Sequence, residues 1–146
     1  MKKIFTKKNS KHTTFDKSKE SNGYLVPIYN VNDLNNPSDY APKQVYLTVI
    51  QKDKIKGPHL HYKRDGFFTC IKGDVKIIIF INGDYIEYKS GESYHYLSVF
   101  IPKGTPAAIQ NIGSEEAFLI NMPSPAWTPE MNDEHSPIFE NYDFKK

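Results

Sequence analysis

Cysteine is almost absent from this chain: Cys70 is the only one among 146 residues. No intrachain disulfide can form. Its neighbours, Phe67-Phe68-Thr69-Cys70-Ile71, read as a strand interior, so the thiol is a buried structural group rather than a nucleophile. No run of about 18 apolar residues occurs, which leaves no segment with the length of a membrane-spanning helix. The N-terminus has lysines but no apolar stretch of the kind a secretory signal needs, and the cytoplasm is the expected compartment. Charge of one sign is scarce overall, with a formal net charge of only +2. The excess lysines (Lys2, Lys3, Lys7, Lys8, Lys11, Lys17 and Lys19) crowd the first twenty positions, without the helix or aromatic platform that would accompany a nucleic-acid arm. Neither nucleic acid nor membrane is expected as a partner. Convincing amphipathic helices are missing before residue 125, and so is any internal repeat.

What remains is an ordinary globular balance, 38% hydrophobic and 25% charged, with 14% aromatics. That is enough for one domain with a real core, and its aromatic and β-branched bias favours strands. Residues 1–22 are expected as a flexible Lys-rich arm, and residues 23–146 as the folded domain. Strands are expected over 23–29, 44–50, 66–72, 75–81, 84–88, 97–101, 107–110 and 117–121. Asn82-Gly83 is the strongest hairpin signal among them. Short strands at regular spacing, punctuated by turns, mean a sandwich or barrel. The Pro-rich tail over 123–146 begins Pro123-Ser124-Pro125-Ala126-Trp127-Thr128-Pro129. It cannot start a regular helix before Pro129 and is expected to run extended across the barrel or a neighbour.

The most telling stretch is Gly57-Pro58-His59-Leu60-His61. Two histidines two apart on a strand point to one face, and inside a small barrel both rings reach the lumen. Cations flank them: Lys56, Lys63, Arg64 and Lys72. Arg64 has the fork that matches phosphate oxygens, and strand alternation forbids Lys63 and Arg64 from both facing inwards. Tyr24, Phe68, Tyr94 and Trp127 are the aromatics available to stack on a base. Asp133-Glu134-His135 reads as a solvated charged tail. The lesser alternative has it orienting a site histidine from a swapped neighbour.

The order of strand, His59-Leu60-His61, strand, Gly73, hairpin and strand, then Pro102, Gly104 and Asn111, resembles the cupin superfamily over roughly residues 44–122. The resemblance implies an all-β, single-domain jelly-roll barrel. Metal-binding cupins add a glutamate and a second-motif histidine to the HxH pair. Those positions here are Gly66 (or Asp65, one residue away) and Ala107, so the expectation is no metal and no cofactor. Gly57–Lys63 is similar to the corresponding stretch of the dTDP-4-keto-6-deoxyhexose 3,4-ketoisomerases, with Lys56 where those have arginine. Val45-Tyr46 stands where that family has an active-site tyrosine. Leu60-His61-Tyr62 is similar to the dTDP-4-dehydrorhamnose 3,5-epimerases, whose base is that histidine, and Trp127–Glu130 to their tail.

The resemblance therefore implies a metal-independent isomerase acting on a nucleotide-linked 4-keto-6-deoxy sugar, by proton transfer next to a ketone. His61 is the expected base. His59 is its partner or the contact to the enediol oxygen. Tyr46 donates to the developing oxyanion. Arg64, Lys63, Lys56 and Trp127 are the expected substrate-binding residues. Two other readings stay open: a metal-dependent cupin using His59, His61 and Asp65, and a non-catalytic sugar-nucleotide-binding module. A homodimer is expected, because an open sheet edge would otherwise be exposed.

Overall fold

A computed structural model describes residues 3–37 and 40–145. Among the described residues, eleven strands run in chain order as β1 (Phe5–Lys7), β2 (His12–Phe15), β3 (Ser21–Leu25), β4 (Tyr46–Ile50), β5 (Ile55–His59), β6 (Gly66–Lys72), β7 (Asp74–Ile81), β8 (Asp84–Gly91), β9 (Ser98–Ile101), β10 (Ala107–Asn111) and β11 (Ala117–Asn121). They form a five-stranded sheet ordered β1-β9-β6-β11-β4 and a four-stranded sheet ordered β5-β10-β7-β8. β2 and β3 pair with each other as a separate hairpin. The pairings in all three sheets are antiparallel. The two larger sheets face each other, and their inner faces supply the core: Ile50, Cys70, Val75, Ile77, Ile79, Val99 and Leu119. Cys70 is fully buried there, and burial pushes its thiol up to about 12. It is inert, as its strand setting predicts.

The run Val75–Ile81 carries more apolar residues than a strand with one wet face needs. Val75, Ile77 and Ile79 face the core, while Ile78 on the opposite face packs with Ala108 and Phe139. The C-terminal segment thus covers the outer face of the second sheet. The Phe67-Phe68 pair has the same logic. Phe68 packs against the central core, and Phe67 joins Phe100, Tyr40 and Met122 in a second cluster on the other side of its sheet. Asn82 and Gly83 both have positive φ, 53° and 81°, the geometry that the two-residue hairpin loop between β7 and β8 demands.

The N-terminal segment departs from the expected flexible arm. β1 pairs with β9, and buried Asn9 donates to the Tyr96 carbonyl at 2.6 Å and to Ser98 Oγ at 2.8 Å. The expected boundary at residue 23 falls inside β3. The polar, lysine-rich composition hid these strands because β2 and β3 are mostly solvent-facing and show no burial alternation.

Candidate active site

β5 ends at His59, beside the place where the two sheets open into a cavity of about 240 Å³. Gly57 (φ 93°) sets up this end of the strand. A side chain there would meet the Ala107 carbonyl at 3.0 Å and the His59 amide at 2.9 Å. Only glycine combines that φ with so close an approach of β10. His59 and His61 both line the cavity, with ring centroids 6.3 Å apart. Tyr46, the first residue of β4, lines it from the facing sheet, together with Thr48, Phe68, Ile101 and Asn121, while Ala107 lines it from β10, beside β5.

His61 is held by the tail. Its Nδ1 lies 3.1 Å from the Asp133 main-chain oxygen. A carbonyl can only accept, so neutral His61 carries its proton on Nδ1 and a lone pair on Nε2. Burial holds its basicity below the ordinary histidine range. The Arg64 charge adds to this, and the Asp133 contacts oppose it. The Asp133 carboxylate is itself buried. It accepts from the Tyr62 N–H at 2.9 Å and from the Lys63 N–H at 3.0 and 3.1 Å. It also lies 3.7 Å from His61 Nδ1. Glu134 Oε1 approaches His59 Nδ1 at 3.3 Å. Leu60 and His135 exchange main-chain hydrogen bonds at 2.8 and 3.0 Å, locking residues 133–135 against 60–63.

Asp133-Glu134-His135 is therefore not a solvated tail. It returns to the site of its own chain, supported further along by Phe139, Tyr142 and Phe144 on the outer face of the second sheet. Charge and polarity alone did not reveal this, because the partner groups are main-chain amides and imidazoles that no periodicity marks.

Tyr46 is also fixed. Asn121 Nδ2 donates to its phenol oxygen at 2.7 Å, and Asn121 Oδ1 accepts from the Phe67 N–H at 3.0 Å. With its oxygen engaged as an acceptor, the Tyr46 hydroxyl keeps its own proton available for donation. Asn121 is a site residue that sequence reading missed. It looks like any strand-end asparagine, and only the barrel register places it under Tyr46.

Of the expected substrate-binding residues, Arg64 and Lys56 line the cavity. Neither forms an ion pair among the described residues. Lys63 and Trp127 do not line it. Residues 61–64 form a bend between β5 and β6 rather than strand, so the two-residue spacing does not carry Lys63 to the side of His61, and its Nζ donates to the Met131 carbonyl at 2.8 Å. Trp127 is held outside by its main-chain N–H donating to Gln44 Oε1 at 2.9 Å, with the residue half exposed. Asp65, the third ligand of the metal alternative, is buried, and its Oδ1 accepts from the Lys103 N–H at 2.8 Å. Among the described residues, no cluster of three or more His, Cys, Asp or Glu side chains could hold a metal ion.

Comparison with known proteins places this geometry. The family model described as FdtA: WxcM-like, C-terminal matches residues 8–136. A dTDP sugar isomerase from Desulfovibrio desulfuricans has a TM-score of 0.78 at 10% identity, covering 94% of this chain and 85% of that one. QdtA, a sugar 3,4-ketoisomerase from Thermoanaerobacterium thermosaccharolyticum solved with TDP, has a TM-score of 0.67 at 20% identity, over 90% of this chain and 86% of that one. A dTDP-4-dehydrorhamnose 3,5-epimerase from Sulfolobus tokodaii has a TM-score of 0.78 at 16% identity, over 98% of this chain and 81% of that one. No curated protein sequence matches. These likenesses bear out the all-β jelly-roll expected from the two cupin motifs.

Proposed function

The chain belongs to the FdtA family of WxcM-like C-terminal domains, and on that premise we propose that it is a 3,4-ketoisomerase of a nucleotide-linked 4-keto-6-deoxy sugar. The observation that carries the reading is His61. It is a half-buried imidazole with its proton fixed on Nδ1, its Nε2 lone pair free, and a phenol supplied from the facing sheet.

The cavity suits one sugar ring. At about 240 Å³ it falls just under the roughly 300–1,000 Å³ of sites that enclose a whole drug-sized ligand. The nucleotide would lie outside, with Arg64 and Lys56 free to meet its phosphates. In the proposed reaction His61 Nε2 takes the C3 proton. The C–H electron pair becomes a C3–C4 double bond, and the carbonyl pair moves onto O4. Tyr46 donates to that oxyanion. The proton then returns from His61 to C4. His59 takes the O3 proton and delivers it to O4, so O3 closes as the new ketone and O4 ends as a hydroxyl, while Tyr46 supports O4 by hydrogen bonding and keeps its own proton. One C–H and one O–H bond break and one of each forms, so no oxidant is needed.

The test is proton NMR with dTDP-4-keto-6-deoxyglucose in deuterated water. The ketone should move to C3, and His61→Asn should abolish the change. Absence of both ketone movement and deuterium entry refutes isomerase chemistry on this sugar. Deuterium entering at C3 or C5 without ketone movement would instead support an epimerase, a reading that the phenol on the facing sheet also serves. The proposed assembly is a homodimer, for which β4 leaves an open sheet edge with Leu47 exposed. Light scattering checks it.

A further inference from the structure

Glu134 has no place in the scheme above, yet it lines the same cavity as both histidines. We propose that Glu134 is a positioning residue for His59, fixing its tautomer so that two imidazoles present free Nε2 atoms at the site. The catalytic consequence rests on the ketoisomerase reading; the tautomer assignment does not.

Three observations support this. His59 Nδ1 is sealed from solvent although the ring is part exposed, and it makes no well-aligned hydrogen bond to any group, the Glu134 contact included. A buried ring nitrogen without a partner is costly, and Glu134 Oε1 at 3.3 Å is the acceptor within reach. The approach is also built into the main chain. The Leu60–His135 pair and the Asp133 carboxylate hold the register on both sides of Glu134, so its side chain is directed at His59 rather than left to sample the surface. Finally, no cation competes for Glu134 among the described residues. Lys63 is occupied by the Met131 carbonyl, and His59 is the group that Glu134 approaches.

A carboxylate only accepts, so it selects the Nδ1–H form of neutral His59 and leaves Nε2 with the lone pair. The Asp133 carbonyl imposes the same state on His61. Adjacent residues of one tail thereby set two imidazoles 6.3 Å apart in matching tautomers. The proposed isomerisation has two proton transfers to serve, one between carbons and one between oxygens. His61 serves the first and His59 the second.

The experiment is ¹⁵N imidazole NMR on the full chain, at a pH well above the ordinary histidine range. His59 in the unaltered protein should be protonated at Nδ1. Glu134→Ala should convert it to a mixture or to the Nε2–H form, and Glu134→Gln, which keeps an acceptor oxygen, should restore it in part. Unchanged His61 signals in Glu134→Ala would report that the tail remains docked. In turnover, Glu134→Ala should lower kcat by about 10- to 100-fold, part of what a proton-transfer group contributes, with KM nearly unchanged, and Glu134→Gln should recover some of the loss. A His59 tautomer that does not respond to Glu134→Ala overturns the proposal. A tautomer that switches while kcat stays the same overturns its catalytic half. If the unaltered protein turns over no 4-keto sugar nucleotide, the ketoisomerase reading fails, and the tautomer result still decides the role of Glu134.

Discussion

Asp133→Ala separates what this carboxylate does for the fold from what its main chain does for His61. The side chain is 4% exposed and accepts from two amides at 2.9, 3.0 and 3.1 Å. Hydrogen bonds to a charged group contribute about 1.5–3 kcal/mol each. The vacated site lies near the surface, so water would restore part of the loss, and a net cost of about 3 kcal/mol is expected from those per-bond values. For a domain of this size each kcal/mol moves the midpoint by about 2–4 °C, so Tm should fall by about 6–12 °C. Glu134→Ala is the internal control. Its carboxylate is 62% exposed, and its loss should stay within about 0.5 kcal/mol. The His61 tautomer should survive in Asp133→Ala, because the acceptor on Nδ1 is the main-chain oxygen of residue 133. Thermal and urea unfolding give the stability difference, and imidazole ¹⁵N shifts give the tautomer. A Tm within about 2 °C of the unaltered protein, a shift worth at most about 1 kcal/mol, would refute the assignment of the carboxylate as a structural clamp.

Four further outcomes are expected. His61 must be neutral to act as base, and its basicity is lowered by burial and by Arg64. The acid limb of kcat/KM should therefore fall below the ordinary histidine value of about 6.5, and Arg64→Gln should move that limb upward. The same lowering makes His61 a source of stability above about pH 6.5. That stability is lost as pH falls and the unfolded chain takes up the proton first, which unfolding midpoints between neutral and mildly acidic pH would show. Tyr46→Phe should cost about 10²–10³ in kcat, as for loss of one oxyanion donor, with substrate affinity largely kept; an unchanged kcat would remove Tyr46 from the mechanism. Ala107 is the register partner of His59 across β5 and β10, so Ala107→His would set a third imidazole beside the pair. Isothermal titration with Zn²⁺ should then show stoichiometric binding, tighter than for the unaltered protein.

Much of this site is legible along the chain because strands encode it locally. His59 and His61 two apart, Gly57 before them and Pro102-Lys103-Gly104 after them are contiguous signals, and the run Val75–Ile81 with Asn82-Gly83 fixes the long hairpin by itself. The same locality explains the failures. The resemblance implies Trp127 and Lys63 at the substrate, yet a main-chain contact to Gln44 and the bend that follows β5 turn them away. The tail is the opposite case. Asp133 and Glu134 have no regular element of their own, and they become site residues only because Leu60–Lys63 presents unpaired amides and imidazole nitrogens for them to satisfy. Their complement lies about seventy positions upstream, beyond the reach of any local pattern. One trace of it was nonetheless present in the sequence. Ile78 and Phe80 lie on the outer face of β7, which should be polar if it met water. A strand apolar on both faces must be covered twice. In this fold the segment still uncommitted after β11 is the tail, and the aromatics Phe139, Tyr142 and Phe144 mark where it docks. That docking in turn brings Asp133 and Glu134 to the two histidines. An excess of apolar residues on one strand thus carries information about the chemistry on another.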